Sequence, residues 1–172
     1  ARPVLEIARS PLFFIAILAS GVSFGVMSFV MTATPLNMHE ICGIDLSSTK
    51  RVIQIHIASM FLPSLFGGWL IKRLGIGRVL LAGSVVYGGM MAVGLAGQEL
   101  MHFLGSLILL GVGWNFLFAG GTALLPKTYR NSERFKAQAF NDFAVFGVQA
   151  IASLGAGWFL FEFGWSILVW AC

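Results

Sequence analysis

Charge is what this sequence has least of. Only 10% of its 172 residues are Asp, Glu, Lys or Arg, against roughly 25% in a soluble domain. So few charges cannot clothe a surface in water, which excludes an ordinary soluble domain. Cysteine is scarce as well. Cys42 and Cys172 lie far apart with no ligand-type neighbours at metal spacing, which excludes a metal site. No nucleotide-binding loop, His–Glu zinc pattern or Ser–His–Asp set is visible, so neither catalytic residues nor a cofactor are expected. Low-complexity tracts and long linkers are also missing.

What fills the space is apolar. Hydrophobic residues make up 58% of the chain, and the mean hydropathy is +0.87. The 21 glycines suit close helix packing in lipid. A bilayer core of roughly 30 Å needs about 20 apolar residues per helix. Runs of that kind predict an all-α integral membrane protein with spans over 10–35, 46–74, 78–97, 101–126 and 137–163, and a sixth begun at 165–172. They are too many and too long for a secretory signal. A membrane β-barrel needs short alternating segments, and these runs are apolar all round. The chain stops inside an apolar run at Cys172, so it reads as part of something longer.

Basic residues set the orientation. Arg2, Arg9, Lys72, Arg73, Arg78, Lys127, Arg130, Arg134 and Lys136 fall on one side, nine of the 11. Lys50 and Arg51 fall on the other. The positive-inside rule places the first group, and the N-terminus, in the cytoplasm. This topology accounts for the basic isoelectric point near 9.5 without any nucleic-acid partner.

The loop after the second span reads Gly67-Gly68-Trp69-Leu70-Ile71-Lys72-Arg73-Leu74-Gly75-Ile76-Gly77-Arg78. It resembles the signature loop between the second and third helices of each half of a major facilitator superfamily transporter. Gly68, Arg73 and Gly75 match, and Arg78 matches after one inserted residue. Lys72 stands where the family usually has an acidic residue. The layout of spans and short loops resembles the family's C-terminal six-helix half over the whole chain. That resemblance implies an N-terminal half as partner. It also implies a central cavity faced by the first, second, fourth and fifth helices, with the third and sixth outside. Gly68 is expected to permit close helix approach and Gly75 a tight reversal. Arg73 and Arg78 are expected at the inner leaflet.

Polar groups inside spans are costly, so each marks a cavity or a helix contact. From Val79 to Gly97 the third span carries no charge, amide or His, only Ser84 and Tyr87. His56 lies nine residues into the second span, about 14 Å deep. It is a candidate for solute binding or proton relay, or else a hydrogen bond to a neighbouring helix. Asn115 shares a face with Gly111, Phe118, Ala119 and Thr122, beside Trp114, which suits an organic solute with a ring. The other reading of Asn115 is a tie between helices. Gln138, Asp142, Gln149 and Ser153 fall on one face of the fifth span. Asp142 reads as a gate, or as a salt-bridge partner of Arg130 or Arg134. Pro63 is a possible bend in the second span.

The solute and proton path is thus expected at His56, Trp114, Asn115 and Gln149. The gating network is expected at Gly68, Arg73, Gly75, Arg78, Arg130, Arg134 and Asp142. The favoured function is secondary active transport of a small, unidentified solute by alternating access. The alternative is a non-transporting subunit of the same fold in a larger membrane complex. Expected partners are lipid, the N-terminal half and the solute. The expected location is the inner or plasma membrane.

Overall fold

The computed structural model describes residues 3–172, without the side chains of Val4 and Leu5. Arg2 therefore lies outside the described residues. No strand occurs among them. The helices are α1 (Val4–Ala8), α2 (Pro11–Leu36), α3 (Leu46–Phe61), α4 (Ser64–Leu74), α5 (Ile76–Ala96), α6 (Leu100–Leu124) and α7 (Arg134–Trp170). Four helical stretches are long and apolar enough to cross a membrane, and α3 with α4 make a fifth, bent by 40°. The chain is an all-α integral membrane protein.

Each end has a local cause. Pro11 opens α2 at a position that needs no N–H. Pro35 does not stop that helix, which runs on into a π-turn at Asn37–Ile41. Asp45 caps α3 by accepting from the Ser48 N–H at 2.9 Å. The Ser47 hydroxyl also donates to it, and these bonds hold its carboxyl well below the usual range. Pro63 brings no N–H, and α3 gives way to α4 around it. Gly75 turns the chain from α4 into α5 at φ +84, where a side chain would be strained. Gly164 breaks α7 in the same way at φ +79, between Phe163 and Trp165.

The core forms around α6, against which α2, α3 and α5 all pack. Three of its glycines face three different neighbours. A methyl on Gly111 would meet Ser59 Oγ of α3, and would lie 2.9 Å from Met60 N. One on Gly121 would lie 2.9 Å from the Ala16 carbonyl of α2. One on Gly120 would lie 2.5 Å from Leu80 Cδ2 of α5. Lipid tails offer no hydrophobic drive for helices to associate, so such close backbone approach supplies the attraction. Polar ties supplement it. Tyr87 OH donates to the Ser23 carbonyl at 2.9 Å, and Trp165 Nε1 donates to the Gly94 carbonyl at 2.9 Å.

Candidate functional site

The face of α6 that carries Gly111 also builds a cavity with the bent pair α3–α4. It encloses about 360 Å³, lined by Phe61, Ser64, Trp114, Asn115, Phe118 and Thr122, with Ala119 and Ala123. Its α6 residues recur at the three- and four-residue steps of one helical face. The bend at Pro63 separates Phe61 from Ser64 and leaves both on the lining.

Rings dominate one wall. Trp114 stacks on Phe118 with centroids 5.2 Å apart and planes 16° from parallel. Phe24 of α2 meets Trp114 edge-on at 5.3 Å and Phe118 at 5.1 Å. Phe61 approaches Trp114 edge-on at 6.1 Å, and Phe146 of α7 meets Phe24 at 5.8 Å. Edge-to-face pairs of this kind are favoured by ring quadrupoles. The lining itself comes from α3, α4 and α6, and Phe24 and Phe146 extend the ring cluster to α2 and α7.

The polar groups are few and specific. Asn115 Nδ2 donates to the Met60 carbonyl at 2.7 Å and to Ser64 Oγ at 2.6 Å. Asn115 Oδ1 and Trp114 Nε1 are buried without hydrogen-bond partners. Orphaned atoms of this kind cost about 1–3 kcal/mol each.

His56 belongs to the same helix pair but not to the cavity. It is fully buried, with Nδ1 2.7 Å from the Leu107 carbonyl. A carbonyl only accepts, so Nδ1 carries the proton, and Nε2 is left buried and unpaired. In this conformation the imidazole ties α3 to α6 and does not reach water.

A larger cavity of about 530 Å³ lies between α2 and α7, bordered by Leu18, Val22, Phe29, Val148 and Ile151. Despite its size it is the weaker candidate. Its lining is almost wholly alkyl and ring carbon, with nothing to orient a solute.

Residues 10–172 match the Major Facilitator Superfamily. The chain belongs to that superfamily. It is 42% identical over 98% of its length to the riboflavin transporter RfnT of Brucella anthropi. It is 36% identical over 68% of its length to YdeG of Bacillus subtilis, an uncharacterized MFS-type transporter. YddS of the same organism, described likewise, is 37% identical over 68%. The chain spans 42% of the length of RfnT and 27% of each of the others. No solved structure gives a significant match.

No residue of the superfamily loop is buried, and Gly68, Trp69, Lys72, Arg73 and Gly75 are exposed. Arg73 lies over the Trp69 ring at 5.2 Å from its centroid, a cation–π contact. Arg78 projects from the first turn of α5 and is exposed. The close approach expected at Gly68 is not made within this chain, because nothing lies within 4 Å of where its Cβ would stand. Gly75 does make the reversal expected of it.

On α7, Asp142 is exposed and accepts from Asn141 Nδ2 at 3.1 Å. Among the described residues it forms no ion pair with Arg130 or Arg134, both exposed. The Arg130 backbone N–H donates to the Glu133 carboxylate at 3.0 Å, which orders the turn before α7. Gln149 is half-buried and not part of the ring-walled cavity. The polar face expected of α7 is divided among neighbours. Gln138 bonds the Tyr129 hydroxyl at 3.1 Å, and Ser153 pairs with Thr32 of α2 at 3.2 Å.

Sequence reasoning singles out Trp114 and Asn115, and both line the ring-walled cavity. It missed Phe61 and Ser64. The available signal was Pro63, which places a break between Phe61 and Ser64 and so turns both toward the neighbouring helix.

Proposed function

We propose that the chain is the second half of a secondary transporter that moves a small planar aromatic solute of the flavin class by alternating access. The ring-walled cavity on α6 carries this reading. Its volume of about 360 Å³ falls within the roughly 300–1,000 Å³ of small-molecule sites. Stacked and edge-on rings suit a flat conjugated solute. The 42% identity to a riboflavin transporter supports the same class.

Transport follows from rocking this bundle against an N-terminal half, with solute held between them near the midplane. Trp114 and Asn115 line the solute path. Asp142 and Gln149 on α7 are assigned to the surface that meets the other half. Gly68, Arg73, Gly75, Arg78, Arg130 and Arg134 form the loop layer that changes partners as the halves move. The distribution of Lys and Arg supports a cytoplasmic position for these loops in an inner or plasma membrane.

Uptake of labelled riboflavin by proteoliposomes holding the full-length protein tests the reading. Trp114→Ala is expected to weaken affinity about tenfold or more, since ring stacking contributes about 1–3 kcal/mol per base-sized ring. Absence of riboflavin uptake by the unaltered protein would reject the solute class. Undiminished affinity in Trp114→Ala would reject the cavity. Orientation has its own check. Single cysteines at Lys72 and Lys127 should react with an impermeant maleimide only after the membrane is opened from the cytoplasmic side.

A further inference from the structure

A proline in mid-span leaves backbone groups to be satisfied by something else. In the second span the substitute is visible. Pro63 has no N–H to offer the preceding turn, and the helix bends by 40° there. Below the break, the Leu65 N–H bonds the Leu62 carbonyl at 3.2 Å and the Phe66 N–H bonds the Pro63 carbonyl at 3.1 Å. These are tight-turn bonds that start a new helix. Above the break, the Met60 carbonyl accepts from Asn115 Nδ2 at 2.7 Å. The same nitrogen donates to Ser64 Oγ at 2.6 Å. One amide on α6 thus grips both sides of the break.

Phe61 and Ser64 flank that break and line the solute cavity along with Asn115. The angle of the break therefore decides where one wall of the cavity stands. We propose that Asn115 is a positioning residue that sets the α3–α4 bend and thereby places Phe61 and Ser64 against the solute. It acts on the solute through those two residues. The solute class rests on the reading above, whereas the bend does not.

The geometry predicts how Asn115 and Pro63 interact. With Pro63→Ala, the chain regains an N–H and loses the ring, so α3 and α4 can join as one helix. The Met60 carbonyl then has a backbone partner in the Ser64 N–H, and the Asn115 amide becomes redundant. Asn115→Leu removes the grip with little change in volume. Pro63→Ala straightens the span, Asn115→Leu releases the angle of the break, and the double variant moves no further than Pro63→Ala, because both act on one break.

Two measurements separate the bend from the solute. Spin labels at positions 72 and 127 in the cysteine-free full-length protein report the position of the α4 end relative to α6. Straightening an 11-residue helix by 40° swings its end by roughly 10 Å. A shift of several ångströms is expected in Asn115→Leu and in Pro63→Ala without any solute present. Ser64→Ala removes one of the two bonds and should give an intermediate shift, a second test should Asn115→Leu fail to accumulate. Riboflavin binding, read by quenching of tryptophan fluorescence, should fall about tenfold in Asn115→Leu and Pro63→Ala alike, with no further loss in the double variant. Unchanged distances in Asn115→Leu and Ser64→Ala would overturn the proposal, even with riboflavin bound normally. Losses in affinity that multiply in the double variant would overturn it too. If the distances shift as expected and riboflavin binds to none of the proteins, the bend stands and only the flavin assignment falls.

Discussion

At the scale of single residues, burial separates two groups that look alike on paper. His56 is fully buried and its imidazole is locked to the Leu107 carbonyl. Its removal should register as lost stability. His56→Ala forfeits a hydrogen bond of about 1 kcal/mol and opens a void, for a total of roughly 2–4 kcal/mol. The expected result is a melting temperature lower by several degrees in detergent, with riboflavin affinity of the surviving protein changed less than twofold. A large affinity loss at unchanged stability would place His56 on the solute path after all. Asp45 is the opposite case, exposed and outside the spans. Its carboxyl is held low by the Ser47 hydroxyl first and by Ser48 next. A depressed carboxyl stabilises the fold fully above its unfolded value of about 3.9 and loses that contribution only as pH falls through the lower folded value. A pH dependence of transport between 5 and 8 should therefore survive Asp45→Asn unchanged.

At the scale of elements, close packing and open surface make opposite forecasts for similar changes. Gly111→Ala would press a methyl to 2.9 Å from Met60 N and 3.0 Å from the His56 carbonyl. Backbone cannot yield as a flexible side chain can, so α3 must move away from α6. Thermal stability should drop, and the ring-walled cavity should lose affinity with it. If the alanine variant matches the unaltered protein in melting temperature, the α3–α6 approach is looser than described. The kind of element was legible in the sequence because apolar runs near 20 residues long admit few readings in a bilayer. The bend at Pro63 was legible for the same reason that any proline is, a missing N–H and a fixed ring. The partner of that bend was not. Asn115 and Met60 are 55 positions apart, and spacing along one helix says nothing about which neighbour its face meets. The α7 polar stripe shows the converse limit. Periodicity placed Gln138 and Ser153 on one side, but a helix this long meets different neighbours along its length. One side therefore serves the Tyr129 hydroxyl at one end and Thr32 further along.

At the scale of the whole molecule, the exposed face of α4 is informative. Leu65, Phe66 and Trp69 are all more than half exposed, and Gly68 among them has nothing within 4 Å. A bulky side chain there disturbs nothing in this bundle. Gly68→Leu should accumulate in the membrane and melt normally. It should nevertheless slow uptake if this face slides against an N-terminal half, as the proposed rocking requires. Normal uptake by that variant would assign the face to lipid.

The central position of α6 also bears on how the protein is made. Helices α3 and α5 rest chiefly on α6, α2 rests on both α6 and α7, and the three pack little on one another. They leave the ribosome before it. A nascent chain arrested short of Leu100 holds three inserted spans with no common surface to close on, and such an intermediate should be open to proteases and quality-control factors. Arrival of α6 supplies a docking surface to all three and α7 then closes on α2, so tertiary structure in this half should appear late in synthesis.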